Sequence, residues 1–328
     1  MKNRLLNWIW YERHWVRWLL WPFALVYQSI TWVRHTYYRL IAQHRFDVPI
    51  IVVGNLTVGG VGKTPLVIVL AERFSALGLR VGIVSRGYGA SIRQFPHEVD
   101  LSDAALDVGD EPLLLAKKTK CPVVIAPKRN EAVQYLLDKY QSQIIISDDG
   151  LQHYAMGRAI EIVVVDGMRG FGNGLCLPAG PLREGPSRLN KVDFIVVNGD
   201  GLEQNPLLCN AYRMKLAPGL LVQVGSGKTI SWSDLCLPVT AVAGIGNPER
   251  FFLTLKLLGI SFEPYAFPDH YRFQYSDFAA FKNTVVMTEK DAVKCMPFAT
   301  DNMYFLPVNA ELSGDFWRAL YGKCGIDT

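Results

Sequence analysis

Short runs of apolar, mostly β-branched residues alternate with helix-like patterns along most of the chain. The first six of these runs occupy residues 50–53, 81–84, 123–125, 144–146, 162–165 and 194–197, and further strand-like runs follow in a second unit at 239–242, 284–287 and 303–306. Strands buried on both faces read as continuous apolar runs, because helices cover both sides of a parallel sheet. The pattern therefore predicts an α/β fold, with a mostly parallel sheet and helices on both faces.

A glycine-rich stretch at 57–65 lies between the first apolar run and a helix-like segment. Such a turn points backbone N–H groups and a helix dipole at one spot, where phosphate is stabilised. Lys63 would reach the β- and γ-phosphates, and the Thr64 hydroxyl would face Mg²⁺. The strict pattern has glycine at the position of Thr57, so the loop departs from it there. The residues predicted to bind nucleotide are Thr57, Val58, Gly59, Gly60, Val61, Gly62, Lys63 and Thr64.

The tripeptide Gly-Lys-Thr occurs a second time, at 227–229. After Thr64, apolar residues recur at helical spacing up to Gly78, as a phosphate loop requires. After Thr229 the chain reaches Pro238 without a segment long enough for that helix. The second copy is therefore interpreted as a surface turn.

Paired carboxylates, Asp148 and Asp149, follow the fourth apolar run. In phosphate-loop enzymes an aspartate at the end of a strand holds the metal, directly or through water. Asp166, after the fifth run, is the rival candidate, and its other interpretation is a turn aspartate. Asp148 is preferred because the loop after it also offers Asp149, Gln152 and His153.

Further candidates for chemistry lie in three kinds of setting. Asp110 and Glu111 begin a helical segment, where carboxylates either cap the helix or serve as a base and a metal ligand. His270 lies in an aromatic loop at 267–273, and a lone histidine is more often structural than catalytic. Three arginines could bind anionic substrate groups, although a surface charge is an equal alternative for each. These are Arg86, Arg129 and Arg183.

The first 45 residues differ in composition from the rest of the chain. They hold six of the eight tryptophans together with several tyrosines and arginines, including Arg13. This mixture favours a lipid headgroup boundary. The longest uncharged run, 18–33, contains Pro22 and is shorter than the roughly 20 apolar residues of a spanning helix. We expect an amphipathic helix lying on a membrane, and packing on the protein's own core is the alternative.

Composition excludes several classes of function. The net charge is +4, and basic residues beyond position 50 are scattered, which argues against a nucleic-acid partner. The six cysteines form no Cys-x-x-Cys pair and do not cluster with histidine, so neither zinc nor a disulfide framework is expected. A signal-peptide cleavage site is not evident, and no obligate protein partner is inferred.

Taken together, the motifs resemble the tetraacyldisaccharide 4′-kinase family, the lipid A 4′-kinases of Gram-negative bacteria. The family's loop also lacks glycine at the position of Thr57. The resemblance covers nearly the whole chain and rests on the tryptophan- and arginine-rich start and on the motifs at 54–65, 85–89, 109–112, 148–153, 177–184, 268–270 and 288–291.

The resemblance implies a lipid kinase that transfers the γ-phosphate of ATP to the 4′-hydroxyl of a tetraacylated glucosamine disaccharide 1-phosphate. It places the enzyme at the cytoplasmic face of the bacterial inner membrane, because such a lipid cannot be extracted into water cheaply. It also implies an active site in a cleft between two α/β units. The expected organisation is an amino-terminal membrane segment at 1–45, a phosphate-loop kinase core at 46–217 and a domain at 218–328 that closes the cleft.

The same resemblance distributes roles among the candidate residues. An aspartate–histidine pair, here Asp110 and His270, would assist the attacking hydroxyl, and Asp149 would line the same site beside Lys63. Arg129 and Arg183 would face substrate or phosphate, and Arg86 is kept as a third candidate. The expected Mg²⁺ ligands are Thr64, Glu111 and Asp148.

The main alternative is a membrane-associated phosphate-loop ATPase switch, which shares the loop and a membrane-binding helix. Such a switch has a signature lysine at the position of Val58. The valine found there argues against this class. A GTPase would need an Asn-Lys-x-Asp motif, and residues 288–291 have the wrong order. A switch hydrolyses nucleotide slowly without an acceptor, whereas a kinase needs the lipid.

Overall fold

The computed structural model describes residues 2–12, 14–201 and 205–326. Arg13, one of the basic residues of the amino-terminal segment, lies outside this set. The strands are β1 (Ile50–Gly54), β2 (Val81–Ser85), β3 (His97–Glu98), β4 (Val123–Ile125), β5 (Ile144–Asp148), β6 (Ile160–Asp166), β7 (Phe194–Asn198), β8 (Tyr212–Pro218), β9 (Leu221–Gln223), β10 (Thr229–Ile230), β11 (Val239–Ala243), β12 (Phe262–Ala266), β13 (Val285–Thr288), β14 (Met303–Leu306) and β15 (Val308–Leu312).

Helices alternate with these strands along most of the chain. The α-helices are α1 (Lys2–Tyr11), α2 (Val16–Tyr37), α3 (Lys63–Ala76), α4 (Ala105–Val108), α5 (Asp110–Thr119), α6 (Arg129–Tyr140), α7 (Pro248–Leu257), α8 (Tyr275–Phe278), α9 (Glu289–Cys295) and α10 (Gly314–Cys324). A π-helical turn, Tyr38–Ala42, continues α2. Short 3₁₀ turns occur at Pro186–Lys191, Pro206–Leu208, Trp232–Asp234 and Met296–Phe298.

The larger sheet, within the described part of the chain, has nine strands in the order β15-β8-β7-β6-β1-β5-β2-β4-β3. The pairs from β8 to β4 are parallel, and only the outer pairs β15–β8 and β3–β4 are antiparallel. All six strands predicted for the first unit are present, and the prediction of a mixed α/β fold with a mostly parallel sheet is confirmed.

Helices bury both faces of this sheet, as the apolar runs predict. On one face α3 contributes Leu66, Leu70 and Phe74, which are fully buried. On the other face α6 contributes Val133 and Leu136. Because every residue of β1 is buried, the carboxyl end of this strand is held within the core where the glycine-rich loop begins.

The smaller sheet contains six strands, among the residues described, in the order β10-β9-β14-β13-β11-β12. The strands expected at 239–242, 284–287 and 303–306 correspond to β11, β13 and β14. The second Gly-Lys-Thr lies in the hairpin that joins β9 to β10, where the Gln223 N–H donates to the carbonyl of Lys228 at 2.8 Å. This confirms the expected surface turn.

The chain enters the smaller sheet after β8 and later returns to the larger one. β15 pairs antiparallel with β8, and Val308 lies opposite Pro218. Phe316 and Leu320 of α10 then pack into the same core as α3. The division of the chain at residue 218 stays a prediction. It assigns all of 218–328 to the second domain, whereas β15 and α10 pack with the larger sheet.

The amino-terminal helices pack against the rest of the protein with one face and expose the other face to solvent. Ala24 is buried, the Trp10 indole donates to the carbonyl of Pro178 at 3.1 Å, and His35 packs edge-on against Tyr154. The large side chains on the exposed side are Trp15, Trp18, Leu19, Phe23, Val26, Ile30, Trp32 and Val33, all more than half exposed. Among the helices described, none is both long and apolar enough to cross a bilayer.

Candidate active site

The glycine-rich loop closes between β1 and α3 in a conformation that explains its residues. Thr57 forms an isolated β-bridge with Leu182, an extended conformation open to any residue, so glycine is not needed there. Gly62 has φ +93°, and a Cβ at this position would lie 2.2 Å from the Asn198 amide nitrogen. Only glycine fits at that position. The side-chain amide of Asn55 fastens the loop by donating to the carbonyl of Thr57 at 2.7 Å.

Lys63 begins α3 and points to acceptors on the neighbouring strand ends. Its ammonium lies 3.2 Å from the Asn55 amide oxygen and 3.4 Å from an Asp149 carboxylate oxygen. Arg183 also contacts Asp149, with Nη1 3.0 Å from Oδ2. Burial raises the pKa of Asp149, but Lys63 and Arg183 outweigh burial and hold this pKa below its ordinary value. Phosphate would bring Lys63 a second anionic partner.

Asp148 ends β5 and is 1% exposed. Neither of its carboxylate oxygens has a hydrogen-bond partner among the described residues. Burial, with Glu111 close by, raises the pKa of Asp148 to about 7. A buried, unpartnered carboxylate is costly unless a cation binds it, so the side chain fits a divalent metal ion.

The donor set around Asp148 suits Mg²⁺ shared with a nucleotide. Within the described ranges, no three acidic, histidine or cysteine side chains converge on a cage of their own. Mg²⁺ ordinarily takes one or two carboxylates together with water and substrate phosphates. Thr64 lies on the first turn of α3, and Glu111 lies near enough to Asp148 to affect its pKa.

Asp110 and His270 meet although they are 160 residues apart in sequence. The His270 Nδ1 lies 3.1 and 3.0 Å from the two Asp110 carboxylate oxygens. The hydrogen bond to Asp110 raises the pKa of His270. Burial raises the pKa of Asp110, but His270 and Lys290 outweigh it and lower that pKa to about 2. In this pair Asp110 is the carboxylate, and the His270 imidazole that it contacts binds a proton more tightly than an ordinary histidine.

Lys290, on the first turn of α9, is a site residue that the sequence analysis missed. Its ammonium lies 2.8 Å from Glu111, 3.7 Å from Asp269 and 3.8 Å from Asp110. The available signal was its position just after a predicted strand, because loops at the carboxyl ends of parallel strands carry function.

The three predicted arginines occupy different positions. Arg183 lies in the site on Asp149, whereas Arg129 is buried and donates from Nη2 to the backbone carbonyls of Asp148 and Asp149, at 2.9 and 2.8 Å. Arg129 therefore holds the β5 loop in place. Arg86 is exposed on the loop after β2. Their roles toward substrate stay predictions.

Asp166, the rival metal ligand, already has protein hydrogen-bond donors on both of its carboxylate oxygens. One carboxylate oxygen accepts from Arg250 at 2.7 Å and from the backbone N–H of Met168 at 2.9 Å. The other accepts from the Asn247 amide at 3.1 Å. Asn247 and Arg250 belong to the smaller-sheet unit, so Asp166 joins the two units. Of the two rival aspartates, Asp148 is the one whose carboxylate has no hydrogen-bond partner within the described part of the chain.

The smaller-sheet unit also lies directly against the phosphate loop. A Cβ at Gly246 would lie 2.5 Å from the backbone nitrogen of Gly60, so only glycine permits this approach. The Arg169 guanidinium donates to the Gly246 carbonyl at 2.9 Å. The Asp291 carboxylate positions the same loop by accepting from the Gly244 N–H at 2.8 Å. The glycine-rich loop and the Asp110–His270 pair thus both lie where the two units meet, a junction called the cleft from here on.

Fold and site together define an α/β phosphotransferase. A family model described as tetraacyldisaccharide-1-P 4′-kinase matches residues 16–324. The chain belongs to this family, and the resemblance inferred from its motifs is confirmed.

Known relatives agree with that assignment over almost the full length. The tetraacyldisaccharide 4′-kinase of Legionella pneumophila (strain Lens) is 54% identical over 316 residues, which are 96% of each chain. That of Shewanella sp. (strain MR-7) is 46% identical and covers 97% of this chain and 95% of its own. A crystal structure of "apo" form LpxK from Aquifex aeolicus in complex with ATP superposes with a TM-score of 0.75 at 28% identity. It covers 94% of this chain and 99% of its own.

Proposed function

We propose that this chain is a lipid kinase that transfers the γ-phosphate of ATP to the 4′-hydroxyl of a tetraacylated glucosamine disaccharide 1-phosphate. The observation that carries the proposal is the buried, unpartnered Asp148, next to the Asp149 that contacts Lys63, in a cleft that also holds Asp110 and His270. The names of the relatives support the reaction and its substrate, and the ATP complex of the solved relative supports the phosphate donor.

Most of the catalysis of phosphoryl transfer comes from positioning of the reactants and neutralisation of charge. The backbone of residues 57–64 and the ammonium of Lys63 would hold the β- and γ-phosphates. Thr64, Glu111 and Asp148 would hold Mg²⁺, which neutralises charge on the phosphates when bound. Asp149 keeps Lys63 aimed at the site until the phosphates bind, and Arg183 holds Asp149.

The attacking hydroxyl would bind at the Asp110–His270 pair. Asp110 is ionised at neutral pH and orients the hydroxyl by accepting its hydrogen bond. As the new bond from the substrate oxygen to phosphorus forms, the bond between the γ-phosphorus and the bridging oxygen breaks. ADP leaves with that electron pair, and the hydroxyl proton passes to the pair, where His270 has the increased proton affinity.

The amino-terminal helices would bring this site to the lipid. Their exposed tryptophans and aliphatic side chains form one face, and α1 and α2 would lie in the headgroup region of the cytoplasmic leaflet of the inner membrane. Trp10, in contact with Pro178, fixes α1 beside the loop that leads to Arg183. A headgroup could therefore enter the cleft while its acyl chains stay in the bilayer.

Transfer of label from γ-labelled ATP to a tetraacylated disaccharide 1-phosphate in detergent micelles tests the proposal. We expect lipid-borne label with the wild type and a loss of roughly 10²–10³-fold in Lys63→Ala, the cost of removing one transition-state donor. Lys228→Ala, in the second Gly-Lys-Thr, is the matched control and should keep full activity. Release of free phosphate without any dependence on lipid would favour the ATPase switch instead.

A further inference from the structure

The two shortest ion pairs between α5 of the larger-sheet unit and α9 of the smaller-sheet unit come from two different lysines. Lys290 pairs with Glu111 at 2.8 Å, and Lys118 pairs with Glu289 at 2.9 Å. The two pairs connect the same helices, but only the first involves a residue with a proposed role in the reaction. Lys118 lies seven residues beyond Glu111 on α5, which is about 10 Å along the helix axis.

The surroundings of Lys290 set it apart from an ordinary ion pair. Its side chain is 16% exposed, and its ammonium has carboxylates of Glu111, Asp269 and Asp110 within 3.8 Å. Two of these carboxylates lie on the first turn of α5, and the third precedes His270 in the opposite unit. One cation therefore compensates three anions that come from both sides of the cleft.

Removing that cation would leave like charges facing one another in a partly buried site. Carboxylates at such separations repel, and they would move apart, bind protons or bind another cation. Asp110 has His270 as a second partner, whereas the Glu111 carboxylate accepts from Lys290. Glu111 is also one of the proposed Mg²⁺ ligands, so Lys290 and a metal ion would compete for the same carboxylate.

We propose that Lys290 is a positioning residue whose ammonium gathers Asp110, Glu111 and Asp269 across the cleft and releases Glu111 when a divalent cation binds. The inference rests on the proposed function, because that function gives Asp110 and Glu111 their roles. It extends the site to α9 and explains why a largely buried lysine points into a group of acidic side chains.

The first test measures Mn²⁺ binding to the nucleotide-free, full-length protein by electron paramagnetic resonance. Lys290→Met should bind Mn²⁺ about tenfold more tightly than the wild type, since changes in groups around metal ligands typically alter affinity by 10- to 100-fold. Lys118→Met removes the neighbouring α5–α9 pair and should leave Mn²⁺ affinity unchanged. Equal affinities in Lys290→Met and the wild type would overturn the proposal.

The second test compares kcat for lipid phosphorylation at saturating substrates. Lys290→Met should lower kcat about 10- to 100-fold, whereas Lys118→Met should stay close to the wild type. Lys290→Arg, which keeps the charge, should recover part of the loss. Melting temperatures should fall in both methionine variants, and further in Lys290→Met, because that variant leaves three carboxylates without their shared cation.

Equal kcat values in the two methionine variants would also overturn the proposal, because Lys290 would then only join two helices. Failure of the proposed function is a separate outcome. If the wild type transfers no phosphate to the lipid, the kinase assignment fails for this substrate. The Mn²⁺ comparison, which needs no turnover, still decides whether Lys290 competes with a cation.

Discussion

In the cleft the carboxylate of Asp148 is 1% exposed, whereas on α2 the side chains of Trp18 and Trp32 are 59% and 68% exposed. Proteins ordinarily keep charges in water and large apolar side chains in the core. Each region therefore carries a solvation cost that a ligand would remove. The ligand that we propose is a cation with its phosphates in the cleft and a lipid surface on α2.

The two costs have different physical origins and respond to different conditions. The cost at Asp148 is electrostatic, so it changes with pH and with divalent cations. The cost on α2 is hydrophobic and depends on apolar area, not on protonation. A substitution in one region should consequently leave the ligand of the other region unaffected.

The largest expected effect comes from removing the carboxylate that is proposed to face the hydroxyl. Asp110→Asn should lower kcat for lipid phosphorylation by roughly 10²–10⁴-fold, the usual range for lost acid–base assistance. Its binding to phospholipid vesicles, measured by co-sedimentation, should equal that of the wild type. Asp107→Asn, on the neighbouring helix α4 and bonded to Ser91, is the control and should keep its activity. Near-normal turnover of Asp110→Asn would remove this residue from the mechanism.

The opposite test acts on the exposed face of α2. The double substitution Trp18→Ser and Trp32→Ser should lower the vesicle partition coefficient about 100-fold, because each buried aromatic side chain contributes about 1.5 kcal/mol or more, or roughly tenfold. Activity in detergent micelles at saturating lipid should persist. Leu257→Ser, at an exposed leucine on α7 that is 79% accessible, is the control for apolar loss elsewhere. Unchanged partitioning would show that α2 does not bind the bilayer.

The smallest expected effect concerns stability and pH. The pKa of Asp148 is raised to about 7, so its ionised form disfavours the fold, and stability should fall as pH rises from about 4 through 7 without a cation. Asp148→Asn lacks this dependence. In EDTA, the free energy of urea unfolding of the variant minus that of the wild type should therefore increase by about 1–3 kcal/mol from pH 5 to pH 8. A constant difference at both pH values would contradict a buried, unpartnered carboxylate.

The parts of the site that could be predicted from sequence are those built by neighbours in the chain. The phosphate loop and the Asp148–Asp149 pair each follow one apolar strand, and their chemistry depends on residues a few positions away. The departure at Thr57 is explained only by the structure, because the bridge to Leu182 sets its backbone.

The parts that escaped prediction depend on contacts between distant segments. Lys290 meets Glu111 across 179 residues, and its local sequence resembles the start of any charged helix. β15 was missed because its apolar residues Val308, Ala310 and Leu312 simply alternate over five positions, and its partner β8 is far away in sequence. Asp166 and Asp148 both follow apolar strands, and only their partners distinguish them.

The pairing of Pro218 with Val308 has a consequence for how the segment between them can be exchanged or redesigned. The chain leaves the larger sheet and comes back to it at adjacent positions, so everything between them is an insertion into a hairpin. The order of the larger sheet does not depend on what that insertion contains. A transplanted or redesigned module, grafted between these two residues, would meet the same phosphate loop, which makes this junction a natural place to alter acceptor specificity.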